Sequence, residues 1–145
     1  MIDRSLVGKA YPSFEVTITQ DLSLNLRKIL GLSTAVSDPP LVWPKVLTLH
    51  GTACLMPIWE DLGVNPLHVR TVGEKFRYGE APRHGEELTG TVFIDWIEEG
   101  LDPDQGIVEQ IDINVVFHNS RGKRIATYEA SFRVAVAAIA GTSQL

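Results

Sequence analysis

The sequence contains one cysteine, Cys54. A lone cysteine can form no internal disulfide and supports no cysteine-based zinc cluster. Its apolar surroundings suit a buried, inert thiol better than a nucleophile, which needs an electropositive and accessible setting. Cationic residues are also scarce, with 13 Lys and Arg against 18 Asp and Glu and a net charge of −5. That balance excludes sequence-independent nucleic-acid binding, which requires a basic footprint. There is no glycine-rich phosphate loop, no Ser-His-Asp signature and no metal-ligand spacing, and Gly51 and Gly63 are isolated. No metal or cofactor is expected. The longest apolar stretch, Pro40 to Leu62, is interrupted by Lys45, His50, Pro57, Glu60 and Asp61. A membrane span needs about 20 predominantly apolar residues, so this stretch reads as a core element. The opening MIDRSLVGKAYP lacks the apolar core of a signal peptide, and a cytoplasmic location is expected.

What remains is an ordinary globular composition over 145 residues, enough for one domain with a substantial core. The chain is read as a single domain, 1–145, with its core at about 6–136 and a flexible tail at 137–145. Pro40 to Leu62 is the organising element. Asp38-Pro39-Pro40 breaks the preceding structure, and Pro44 is tolerable in a first turn. Trp43, Val46, Leu47, Cys54, Ile58 and Leu62 recur at helical spacing, widened by Leu49, Ala53, Met56 and Trp59. The pattern predicts a long helix, apolar on nearly every side, that must be enclosed by the rest of the chain. Pro57 should kink its last turns, and Gly63 stops it.

The flanking segments alternate with period two, the sign of half-buried strands. Phe14, Val16 and Ile18 form the first, followed by a short amphipathic helix through Leu22, Leu26, Ile29 and Leu30, capped by Thr19 or Asp21. Leu67 to Tyr78 changes parity at Val72-Gly73, which suggests a bulge. Leu88, Val92, Ile94 and Trp96 share one face of the next strand, and residues 98–105 read as an acidic turn. Ile107 to Phe117 and Ala126 to Val136 form a hairpin about Asn119-Ser120-Arg121-Gly122. One curved antiparallel β-sheet wrapped around a long central α-helix, an α+β hot-dog fold, accommodates this order. Such a sheet leaves an edge and an outer face to cover, so at least a dimer is expected.

VGKAYPSFEVTITQDL, PPLVWPKVL, EKFRYGEAPRHGEELTGTVFIDWIEE and IVEQIDINVVFHNSRGKRIATYEASFRV resemble the MaoC-like hydratases and dehydratases. The likeness is to their N-terminal half-domain or accessory-subunit type and spans about residues 6 to 136. It implies acyl thioesters of coenzyme A or acyl carrier protein as ligands, and no metal or redox cofactor. It also implies lyase chemistry in fatty acid metabolism, the addition or removal of water across a carbon–carbon bond. Active members carry an Asp and a His, as in G-D-x-N-P-x-H, before the central helix. The pair positions water and moves a proton, while a backbone N–H at the helix N-terminus holds the thioester carbonyl.

Here the corresponding stretch is LSTAVSDPP, with Asp38 but no histidine. Asp61, Asn65-Pro66 and His68 echo the motif, but past the helix, where the family does not place it. In a second alignment His50-Gly51 opens the central helix, making His50 a proton-transfer candidate and Gly51 the carbonyl donor. Candidate catalytic residues are therefore His50 and Asp38, against core and turn roles respectively. Trp43, Gly51, Arg77 and Arg83 are candidates for substrate binding. Arg70, Lys75, His84, Arg121, Lys123 and Arg124 could also meet carrier phosphates, although charges on strands and turns are usually only solvated. Trp43, Trp59 and Trp96 suit core or interface positions better than acyl-tunnel walls.

Three functions follow. The first is a non-catalytic or acyl-binding subunit, in a homodimer or in a heterodimer with a catalytic MaoC-like subunit. The second is an active dehydratase, enoyl-CoA hydratase or acyl-CoA thioesterase using His50 or Asp38. The third is an interaction module with no thioester ligand. Nucleic acid and membrane partners are not expected.

Overall fold

The computed structural model describes residues 2–36, 38–40, 43–50 and 55–139, with the side chains of 46, 47, 49 and 50 excepted. Five strands form one antiparallel sheet: β1 (Phe14–Thr17), β2 (Arg70–Tyr78), β3 (Glu87–Asp102), β4 (Gly106–His118) and β5 (Arg124–Ala135). Their spatial order is β1-β3-β4-β5-β2. Among the described residues three α-helices accompany them: α1 (Gln20–Ile29), α2 (Trp43–His50) and α3 (Met56–Leu62). Trp43 of α2 and Ile58, Trp59 and Leu62 of α3 are buried in the same cluster as Val92, Ile94, Ile111, Ile113, Val115, Phe132 and Val134 of the sheet. The alternation of β3, β4 and β5 thus turns one apolar face toward the helices and leaves a mixed face outside.

The central helix differs from the expected single long one. α3 starts at Met56 as a helix of its own, with Pro57 in its first turn, where the missing N–H costs nothing. Proline here opens a helix and does not kink one. Gly63 closes it at φ 67°, in the left-handed conformation that glycine favours. Met56 is exposed and leaves the apolar band. Val46, Leu47, Leu49, Ala53 and Cys54 lie outside the described side chains.

Thr19 accepts a hydrogen bond from the Leu22 amide and caps α1. The register between β2 and β5 shifts at Thr71/Gly73, the expected bulge. A second shift, at Ile94/Trp96, was not foreseen. It admits one extra residue, so Ile97 turns inward and Trp96 is 54% exposed, its indole N–H donating to Glu98. Trp96 is therefore outside the core of this chain. The acidic turn is shorter than expected: β3 runs on to Asp102, and only residues 103–105 turn. Asp102 Oδ1 accepts from the Asp104 and Gln105 amides at 2.9 and 3.1 Å, and Asp102 Oδ2 pairs with Arg70 and Arg133. Of the expected tail only residues 137–139 are described, and 140–145 lie outside the described residues. Val136–Ala138 form a 3-10 turn, and buried Ile139 bridges Val64.

Packing is aromatic where β1, β4 and α2 meet. Phe14 and Trp43 both meet the ring of Phe117 edge-on, with centroids 5.8 and 5.0 Å away. Gly90 makes room for this: a Cβ there would lie 2.3 Å from the Phe14 ring. No helix among the described residues is long and apolar enough to cross a membrane.

Candidate functional site

The arriving chain of α2 is held from behind. Arg27, in the last turn of α1, donates Nε to the Asp38 carbonyl at 2.5 Å and Nη1 to the Ser33 carbonyl at 3.3 Å. The Trp43 amide then donates to the Pro40 carbonyl at 2.9 Å. On the other side β2 ends at Tyr78, and the Gly79 amide donates to the Ile125 carbonyl at 2.8 Å. A cavity of about 260 Å³ lies between the two, lined by Asp38, Pro39, Trp43, Tyr78, Gly79, Glu80, Ala81 and Pro82. Its base is apolar, and Asp38 and Glu80 supply carboxylates.

Glu80 organises the rim. Lys123 Nζ lies 3.3 Å from its carboxylate, Arg121 Nη2 3.4 Å and Arg83 Nη2 4.0 Å. Hydrogen bonding and attraction from Lys123 hold this carboxyl below its ordinary value, with Arg121 and Arg83 adding to the effect. Asn119 places two of these cations, because its side-chain oxygen accepts from both the Arg121 and Lys123 amides. Three cations around one carboxylate leave the rim net positive, an arrangement suited to an anion.

The structure regroups the residues singled out from sequence. Asp38 and Trp43 line the cavity, and Arg83 reaches its rim through Glu80. Arg77 does not: it lies on the outer face, 3.9 Å from Glu129, and shares a second hollow of about 170 Å³ with Arg124. Arg70 is tied to Asp102 at 2.6 Å, at the other end of the strand, and His84 is exposed. The His50 side chain and Gly51 lie outside the described residues. The Asp61 to His68 string does not form a catalytic pair. Asp61 accepts from Lys9 Nζ and the Tyr11 hydroxyl, and Asn65 caps a 3-10 turn.

Sequence reasoning missed Tyr78, Glu80 and a cluster one layer deeper. Lys45 of α2 pairs with Glu74 of β2 at 2.8 Å, and the buried Tyr128 hydroxyl donates to the same carboxylate. Burial pushes the Glu74 carboxyl up, but Lys45 and Tyr128 together outweigh it and hold it below its ordinary value. Glu74 therefore stays charged as a clamp between α2 and the sheet, which makes it a weak base. Only the position of Glu74 on the inner face, set by the bulge at Thr71/Gly73, could have signalled this.

No family model and no curated protein matches the sequence. Solved structures do. The HadBC (3R)-hydroxyacyl-ACP dehydratase complex of Mycobacterium tuberculosis matches with a TM-score of 0.69 at 11% identity, over 88% of this chain and 96% of that one. A MaoC-like dehydratase matches with a TM-score of 0.69 at 16% identity, over 90% of this chain and 42% of that one. The R-hydratase PhaJ1 of Pseudomonas aeruginosa matches with a TM-score of 0.58 at 15% identity, over 88% and 81%. These likenesses, together with the five-stranded antiparallel sheet packed on its helices, establish that the chain has the hot-dog fold, in the form found in MaoC-like dehydratases and (R)-hydratases.

Proposed function

We propose that this chain is a MaoC-like hot-dog subunit that binds an acyl thioester without carrying the Asp/His pair, and that it works beside a catalytic partner of the same fold. The observation that carries the reading is the cavity at the start of α2. It lies where the resemblance puts the thioester, yet its described lining holds Asp38 and Glu80 and no histidine. Asp38 is the residue whose backbone Arg27 grips, so its place in the cavity is a consequence of the loop and needs no catalytic role. Trp43 and Tyr78 offer an apolar wall to an acyl group, and the cations about Glu80 offer phosphate contacts for the carrier. The HadBC complex, a (3R)-hydroxyacyl-ACP dehydratase, supports both the ligand class and the paired arrangement.

One observation favours a second reading, an active hydratase or thioesterase. Asp38 does line the cavity, and a carboxylate there could activate water.

Hydration of crotonyl-coenzyme A by the purified chain, followed at the enoyl absorbance with longer enoyl chains in parallel, separates the two. The subunit reading expects no turnover but a raised melting temperature with acyl-coenzyme A. At a hundredfold excess over Kd the stabilisation is about 2.7 kcal/mol. Turnover abolished by Asp38→Asn establishes the enzyme instead. No thermal shift with any acyl chain rejects thioester binding at this cavity.

A further inference from the structure

The last residues of β2 and the first of β5 border a hollow of about 170 Å³ on the outer face of the sheet. A bulge shapes it. Phe117 of β4 pairs with Ala126 and His118 with Arg124, so Ile125 is an extra residue in β5. Ile125 and Ala126 are both buried in the core, and Arg124 is turned out of it and exposed. In an unbroken strand Arg124 would share the inward parity of Ala126. Gly79 holds the end of β2 against this bulge. Its amide donates to the Ile125 carbonyl at 2.8 Å, and a Cβ there would lie 3.2 Å from the Arg124 carbonyl oxygen. Arg77 stands opposite Thr127 on the same outer face.

The described lining of this hollow holds two guanidinium groups and the Thr127 hydroxyl, and no carboxylate. Among the described residues Arg124 makes no ion pair or side-chain hydrogen bond, and the Thr127 hydroxyl has no partner although the residue is 7% exposed. Glu129 lies 3.9 Å from Arg77 Nε and leaves the two Nη groups of that side chain open. It also borders a separate hollow, with Asp95, Asp112 and Lys75. Glu80, next to Gly79, is held by Lys123, Arg121 and Arg83. Even with Glu129 counted, two cations face one carboxylate. The planar fork of arginine meets an oxyanion with two N–H groups at once, and a hydroxyl adds a further donor. Since a water takes up about 30 Å³ in the liquid, the hollow has room for one phosphate group and little else.

We infer that this outer hollow binds a phosphate-class dianion, held by Arg77, Arg124 and Thr127 and distinct from the cations around Glu80. Inorganic phosphate and the ribose phosphate of coenzyme A share this chemistry. Tyr78 and Gly79 line both this hollow and the cavity beside α2, so the end of β2 stands between the two sites. The inference does not depend on a thioester in that cavity.

The test follows the backbone amides of Arg77, Gly79, Arg124 and Thr127 by NMR as the full chain, labelled with nitrogen-15, is titrated with inorganic phosphate at constant ionic strength. Saturating shifts in the millimolar range are expected at these amides, and sodium chloride should not produce them. Arg77→Ala with Arg124→Ala should weaken the affinity roughly tenfold or more, equivalent to losing one charged hydrogen bond. Arg77→Lys with Arg124→Lys keeps the charge but loses the fork, and should fall between the two. Dispersed amide spectra show that each variant is folded. Coenzyme A and dephospho-coenzyme A, which lacks the ribose phosphate, then separate the sources. Shifts at the four amides with the first and not the second assign the site to the carrier. Shifts with neither, beside shifts with inorganic phosphate, assign it to free phosphate. The absence of saturating shifts at these amides in the folded natural chain overturns the proposal, as does a phosphate affinity unchanged by the double alanine variant. No thioester enters these measurements, so a failure of acyl binding rejects the function proposed above and leaves this outcome unaffected.

Discussion

Tyr128→Phe isolates the clamp between α2 and the sheet. Tyr128 is 4% exposed, its hydroxyl donates to Glu74, and its ring stacks on Phe76 at 5.2 Å. Phenylalanine keeps the ring and its packing and removes only the donor. A hydrogen bond to a charged group contributes about 1.5–3 kcal/mol. Glu74 keeps Lys45 at 2.8 Å, so the carboxylate is not stranded and the loss belongs at the lower end, about 1.5 kcal/mol. For a domain of this size that corresponds to a fall in Tm of roughly 5 °C. The pH dependence follows from the lowered Glu74 carboxyl. A depressed carboxyl stabilises the fold above its unfolded pKa, and that stability is lost as pH falls through the folded value. The gap between Tyr128→Phe and the natural chain should therefore be full at neutral pH and close in acid, below the ordinary Glu value. Thermal melts between pH 7 and pH 3 measure it, and a cycle with Lys45→Met should show coupling, because both groups hold one carboxylate. A gap below about 0.3 kcal/mol, or one that does not shrink in acid, refutes the clamp.

Gly90→Ala forces the Phe14 ring off its seat, where a Cβ would come within 2.3 Å, and should destabilise the chain by about 1–3 kcal/mol in denaturant melts. Arg4→Ala strands the buried Glu109 carboxylate, which Arg4 Nη2 meets at 3.0 Å. Because Arg4 is partly exposed and water can enter, the loss should be near the bottom of the range for broken buried pairs, about 3 kcal/mol by calorimetry. Trp43→Phe should keep an edge contact with Phe117 yet enlarge the cavity, weakening acyl-coenzyme A binding several-fold by calorimetric titration while the melting temperature falls only modestly. Arg121→Ala with Lys123→Ala should weaken coenzyme A esters more than the corresponding acyl pantetheine, since only the former carries the nucleotide phosphates.

The strands were legible in the sequence because their constraint is local. Where one face is buried, period two is enforced residue by residue, and β1, β5 and β4 from Ile111 onward follow their alternation, whereas Ile107 at the start of β4 is exposed. The same holds for Thr19 as a cap, Gly63 as a stop and the bulge at Thr71/Gly73, each of which is written in a few neighbouring residues. The antiparallel order of the last three strands followed from their short connections.

Other features depended on partners distant in sequence. Trp96 shares parity with Ile94, and only its register against Asp112 on β4 puts it outside. Pro57 is a kink or a first-turn residue according to where its helix starts, and that start is set by the fold. The candidate site shows the same division. Asp38, Trp43 and Arg83 could be named from a loop, an apolar band and a basic segment, but Arg77 falls on the opposite face by the parity of β2. Glu80 had no signal of its own, because its role comes from Arg121 and Lys123, about forty residues away, brought to it by the turn between β4 and β5. Local periodicity and turn chemistry wrote the elements into the sequence, whereas charges acting through space between distant residues became a site only when the sheet closed over the helices.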